Sequence, residues 1–183
     1  AELAAKRLER LRELVPAAAR VAVLLNPSIS AVTEATFQDL QAAASSMGLQ
    51  IEVLNASTSR EISAAFATLA RARPDALFVG PGAFFVSRRV QLTHLATRHA
   101  VPATYAERDY VEVGGLMSYG PRREDIGRRL AWQVDRILQG TKPADLPVEQ
   151  PMQFELVLNL KTAQALGLTI PPTVLFQANE MIR

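Results

Sequence analysis

The 183-residue sequence contains no cysteine. Disulfides, thiol nucleophiles and thiolate metal centres are all excluded, and composition leaves the redox compartment undetermined. Histidine is nearly as scarce, with only His94 and His99. Five residues apart on a helix, they lie on different faces and cannot grip one metal ion. No apolar run approaches the roughly 18 residues that a bilayer-spanning helix requires. A dominant charge is also lacking, since twenty Lys+Arg against eighteen Asp+Glu leave a net +2. The arginines are interleaved with acids, as in RLERLRE and PRREDIGRR, which is the pattern of solvated helix faces and argues against a nucleic-acid partner.

Catalytic motifs are missing too. There is no GxSxG elbow and no HExxH, and Ser28 and Ser118 have no histidine at a loop position to activate them. The strand ends read LLNPS and FVGPG, without the carboxylates that aspartyl phosphorylation needs. GPGAFF is the nearest approach to a phosphate loop. Pro81 removes one donor, and no lysine or hydroxyl follows at the required spacing, so a nucleotide does not fit. The sequence therefore reads as a non-enzyme with no metal and no cofactor.

Two alternating periodicities are present. LAAKRLERLRELV places Leu8, Leu11 and Val15 on one helical stripe with charges opposite, and RVAVLL (20–25) follows as a buried strand. The pair then recurs. Phe37, Leu40, Ala44 and Met47 form a second stripe, Gly48 is a C-cap, and LQIEVL (49–54) is a second strand. Thr58 and Glu61 have capping-box spacing and open a helix that turns Ile62, Phe66 and Leu69 inward before Pro74, after which DALFVG is a third strand. A helix over 83–99, the short strand VPATY, a fifth strand around 116–119 and a helix with Ile126, Leu130, Val134 and Ile137 on one face complete the series. Strands joined by such helices connect as right-handed crossovers. The expected fold is α/β, a three-layer doubly wound sandwich with a mainly parallel sheet of five or six strands. Its length suits one domain, 1–183. Three prolines over 140–151 predict an extended connector within it, and the strand-like FELVLNL and the remaining tail find no place on the sheet from sequence alone.

In such sheets ligands bind beyond the carboxyl ends of the strands. That rule selects NPSIS, NASTS, GPGAFF, YAERDY and SYGPRR. Gly82, just before a helix, can offer free N–H groups to a polar or anionic atom. Phe84 and Phe85 are each either core or an aromatic wall for a small organic molecule. Glu107, Arg108 and Asp109 are either a ligand-orienting cluster or surface ion pairs.

Several stretches resemble the C-terminal part of ABC transporter substrate-binding proteins related to tryptophan/tyrosine uptake systems: RLERLRELVPAAARVAVLLNPS, IEVLNASTSREISAAFATL, DALFVGPGAFFVSRRVQL, GGLMSYG and, most specifically, KPADLPVEQPMQFELVLNLKTAQALGLTIPP. The resemblance covers essentially the whole chain. It implies one lobe of the two-lobed type I periplasmic-binding-protein fold, with a small-molecule ligand, an amino acid or another small organic compound, held between lobes. It also implies a periplasmic or extracytoplasmic location, an ABC permease as membrane partner, and a longer parent chain with a signal peptide and an N-terminal lobe that is missing here, consistent with the start at AELAAKRLER. By position it nominates Asn26, Gly82, Phe84, Tyr105, Glu107, Ser118 and Tyr119 as ligand contacts. The apolar cleft face, with Phe84, Phe85, Tyr105 and Tyr119 on or near it, is expected to mediate self-association where the other lobe is absent. A ligand-sensing regulatory module of the same fold is the alternative.

Overall fold

A computed structural model describes residues 2–147 and 153–183. Helix α1 (Glu2–Leu14) leads into strand β1 (Arg20–Leu25), and the chain then alternates through α2 (Ser30–Ser46), β2 (Gln50–Asn55), α3 (Ser59–Ala72) and β3 (Ala76–Val79). Next come α4 (Ala83–Ser87), α5 (Arg89–Arg98), β4 (Ala103–Tyr105), α6 (Arg108–Glu112), β5 (Met117–Pro121) and α7 (Arg123–Leu138). Strand β6 (Phe154–Asn159), α8 (Leu160–Ala165), α9 (Pro172–Gln177) and β7 (Glu180–Ile182) close the fold. Among the described residues the sheet has seven strands in the order β2-β1-β3-β4-β5-β6-β7, and β5 with β6 is its antiparallel pair.

The first three strands pair as their apolar runs dictate. Strand β1 lies between β2 and β3, parallel to both, with Val21 opposite Ile51 on one side and Ala76 on the other. Both faces of β1 are covered, which is why five consecutive apolar residues follow Arg20 there. On one face, Val21, Val23 and Phe78 meet Leu8, Leu11 and Leu14 of α1 and Leu40 and Ala44 of α2, with α8 and α9 completing the layer. On the other, Ala22, Leu24 and Leu77 meet Ile62, Phe66 and Leu69 of α3, Phe85 of α4, and Leu92 and Ala96 of α5. Burial of each such leucine contributes about 1.5 to 3 kcal/mol.

Local signals behave as their chemistry requires. The Thr58 hydroxyl accepts from the Glu61 N–H while the Glu61 carboxylate accepts from the Thr58 N–H, a complete capping box. Gly48 takes a left-handed φ of 66° just after α2. Asp75 ties the edges of β1 and β3 together, its carboxylate accepting from the backbone N–H groups of Arg20 (2.8 Å) and Ala19 (2.9 Å).

Three expectations are corrected. The helix over 83–99 is two helices, because Arg88, at φ −108° and ψ 14°, leaves the helical conformation between them. Two strands join the five read from sequence: the FELVLNL strand docks antiparallel on β5, and β7 pairs parallel with it. Over 140–151 the chain is not wholly extended, since Pro143–Asp145 form a turn of 3-10 helix; residues 148–151 of that connector lie outside the described residues. In α7 the apolar residues Ile126, Leu130, Val134 and Ile137 share a face, and all are exposed, Leu130 at 56%. Among the described residues no helix is long and apolar enough to cross a membrane.

Candidate functional site

At the carboxyl end of the sheet lies a cavity of about 500 Å³. The turns after β3 and β4 supply Pro81, then Ala106 and Glu107, the last residue of β5 supplies Pro121, and the opening turns of α2 supply Val32 and Ala35. Leu3 and Arg7 of α1 form the remaining wall. The turn after β4 closes on β5 because residue 120 is glycine: a Cβ there would stand 2.1 Å from the Ala106 carbonyl oxygen. Gly82, at φ 143°, sits between Pro81 and the start of α4, a conformation that suits glycine.

Arg7 dominates the electrostatics. It lies four residues before Leu11 and seven before Leu14, on the buried stripe of α1, and is only 2% exposed. Its guanidinium stands over the Phe78 ring at 4.2 Å, and its Nε has no hydrogen-bond partner. Burial pushes its pKa down to about 10, opposed by the negative field of Glu107 and, to a lesser extent, by Tyr110.

The charged triplet after β4 separates by role. Arg108 pairs with Glu112 and Glu180, each at 2.9 Å, and reaches Glu155 at 3.6 Å, while Asp109 pairs with Arg123. Hydrogen bonding to Glu112, with Glu180 beside it, holds the Arg108 pKa above its ordinary value. Glu107 is left on the cavity wall.

The remaining nominated residues disperse. Asn26 is buried, its Oδ1 accepting from the Ser28 N–H at 3.0 Å and its carbonyl from the Thr33 hydroxyl at 2.5 Å, so it shapes the turn into α2. Phe84 is partly buried against Phe85, ring centroids 5.4 Å apart, and Phe85 is wholly core. Tyr105 is 1% exposed and stacked on Tyr110; its hydroxyl has no partner, and burial raises its pKa. Ser118 is buried within β5. Tyr119 stacks with Phe154 at 6.0 Å in a separate depression of about 480 Å³ on the other side of the α1 N-terminus. Tyr105 and Ser118 are thus core residues of this domain and do not line the cavity, whereas α7 presents several exposed apolar side chains. Pro81, Ala106 and Pro121 lie in the strand-end segments selected from sequence, whereas Arg7 and the lining residues of α2 lie outside them. Arg7 carried a usable signal, its i, i+4, i+7 spacing with Leu11 and Leu14. Among the described residues no group of three or more His, Asp or Glu could hold a metal ion.

A two-face-covered, mainly parallel sheet with a cavity at its strand ends is the architecture of type I periplasmic-binding-protein-like folds. The chain belongs to the ABC transporter substrate-binding protein family, whose model matches residues 1–182. It is similar to a conserved domain protein from Vibrio cholerae O1 biovar El Tor, with 26% identity and a TM-score of 0.88 over 97% of this chain and 60% of that one. A comparable likeness is to an ABC domain from Streptococcus pneumoniae in complex with L-Trp, with 27% identity and a TM-score of 0.87 over 98% of this chain and 62% of that one. A ligand-free, open substrate-binding protein from Clostridium difficile shares the fold at 23% identity, TM-score 0.70, over 97% of this chain and 59% of that one. The chain thus spans about 60% of the length of the structures it matches. A search of curated proteins finds no match.

Proposed function

We propose that residues 1–183 form one α/β domain, the C-terminal lobe of a two-lobed solute-binding protein serving an ABC import system. The observation that carries this reading is the strand-end cavity of about 500 Å³, built from the turns after β3 and β4 and the end of β5 and open at the surface where a second lobe would close it. A small organic solute, an amino acid among the candidates by analogy with the L-Trp bound to the pneumococcal relative, is held there reversibly and passed to a membrane permease outside the cytoplasm. No chemical step is needed. Capture is closure of two lobes around the solute, driven by contacts made only in the closed state.

The exposed apolar face of α7 fits the same reading. A helix presenting Ile126, Leu130, Val134 and Ile137 to water is unfavourable by itself, and the other lobe is the natural surface to cover it. With that lobe absent, α7 gives this chain a route to self-association. The test is mass spectrometry of small molecules released from the purified full-length parent, followed by thermal melts with the identified compound. A co-purifying solute that raises the melting temperature and is recovered unchanged supports the reading; chemical turnover of that compound contradicts it.

A further inference from the structure

We infer that Arg7 is the anion-binding residue of the strand-end cavity, so that the solute is a small organic carboxylate whose charged end enters between α1 and the first turn of α2. This inference rests on reading the cavity as half of a solute cleft. Three independent features converge on it. First, a guanidinium carries five N–H donors and no acceptor, yet no described residue forms a hydrogen bond or ion pair with Arg7, and its Nε is sealed from water. A buried charge without a partner is strongly unfavourable, and the face of Phe78 offsets only part of that desolvation. Burial already weakens its hold on a proton despite the field of Glu107. The missing partner is an acceptor that arrives from outside.

Second, the N-terminus of α2 opens on the same cavity. This is a 17-residue helix with no side-chain cap at Ile29 and no acidic residue in its first turn, so its leading N–H groups and the positive end of its dipole are available to an anion. Third, the lining also carries Glu107, which would repel a doubly charged phosphate more than a singly charged carboxylate. The other lining groups are small and apolar, among them Ala31, Val32, Ala35, Pro81 and Pro121, and suit an apolar body behind the charged end.

Phenylacetate and its neutral isostere phenylacetamide test this on the 183-residue chain, with affinity read from amide chemical shifts of cavity residues at neutral pH. Phenylacetate should bind at least about tenfold more tightly than the amide, and Arg7→Met should abolish that preference. Because the substitution removes an unpaired buried charge, the variant should melt no lower than the parent, whereas a purely structural arginine would lower the melting temperature. Arg7→Lys, which keeps the charge but loses the planar fork, should retain part of the preference. Equal affinities for the two probes, or a carboxylate preference that survives Arg7→Met, would overturn the inference while leaving a solute-binding cavity in place. Failure of phenylacetate to perturb cavity amides would also overturn it; the solute released from the full-length parent then decides the broader reading by itself.

Discussion

The rings of Tyr105 and Tyr110 lie face to face, centroids 4.4 Å apart and planes 12° from parallel, which commits Tyr105 to the α6 side of the sheet and away from the strand-end cavity. Its hydroxyl is buried without a partner, and both desolvation and the neighbouring phenol raise its pKa. Tyr105→Phe should therefore be neutral or stabilising by up to about 1 kcal/mol, because it removes an unsatisfied polar group from a packed site. Tyr105→Ala should lose about 3 to 5 kcal/mol. Chemical denaturation of both variants checks this, and a Tyr105→Phe protein that folds normally but loses solute binding in the full-length parent would return Tyr105 to the cleft.

Gly120→Ala is expected to damage the site through the backbone. The new methyl would fall 2.1 Å from the Ala106 carbonyl oxygen, so the turn after β4 must move away from β5. A loss of about 1 to 3 kcal/mol or more follows from forced overpacking, together with displaced amide signals at Ala106 and Glu107. Unchanged stability and spectra would mean that the turn and the strand have room to give.

Asp75 makes part of the stability dependent on pH. The N–H groups of Arg20 and Ala19 favour its charged form, so its folded pKa lies below the ordinary carboxylate value. Stabilisation is then complete above the unfolded value of about 3.9 and is lost as pH falls through the lower folded value. Asp75→Ala should cost about 1 kcal/mol at neutral pH, a figure discounted because the site is solvent-screened, and almost nothing in strong acid. Urea titrations at the two extremes measure the difference; a loss independent of pH would contradict the assignment.

The face of α7 predicts behaviour in solution. This chain should self-associate with rising concentration in sedimentation experiments, and Leu130→Glu together with Val134→Lys should make it monomeric without lowering its melting temperature, since neither side chain is buried. A chain that is monomeric throughout, or a double variant that unfolds, would contradict that picture.

Much of the fold was legible because burial and periodicity coincide. RVAVLL and ALFV are covered on both faces and read as continuous apolar runs, and the inward residues of α3 recur at helical spacing beneath a capping box. The face of α7 was equally legible, but its surroundings were not: periodicity states which residues share a face and is silent on what covers them. The C-terminal strand was visible in FELVLNL, yet its antiparallel docking depends on pairing with β5 over a long sequence separation. At the site, the strand-end rule selects the segments that carry Pro81, Ala106, Glu107 and Pro121. It does not reach Arg7, because the rule looks at loops, whereas Arg7 comes from a helix preceding the first strand and stands in sequence among solvated charges. Tyr105 lies off the cavity for a geometric reason, since successive strand residues face opposite sides and its ring packs in the layer of α5 and α6.

On the proposed reading, the cavity bounded by Arg7, Pro81, Glu107 and Pro121 is one side of a solute-binding cleft. The decisive measurement is a crystal structure of the full-length parent carrying its co-purified solute. The solute should lie between two lobes, in contact with the turns after β3 and β4 and with its anionic end on the Arg7 guanidinium. A solute seated instead in the depression beside Tyr119 and Phe154, or held entirely by the other lobe with Arg7 still unpaired, would contradict it.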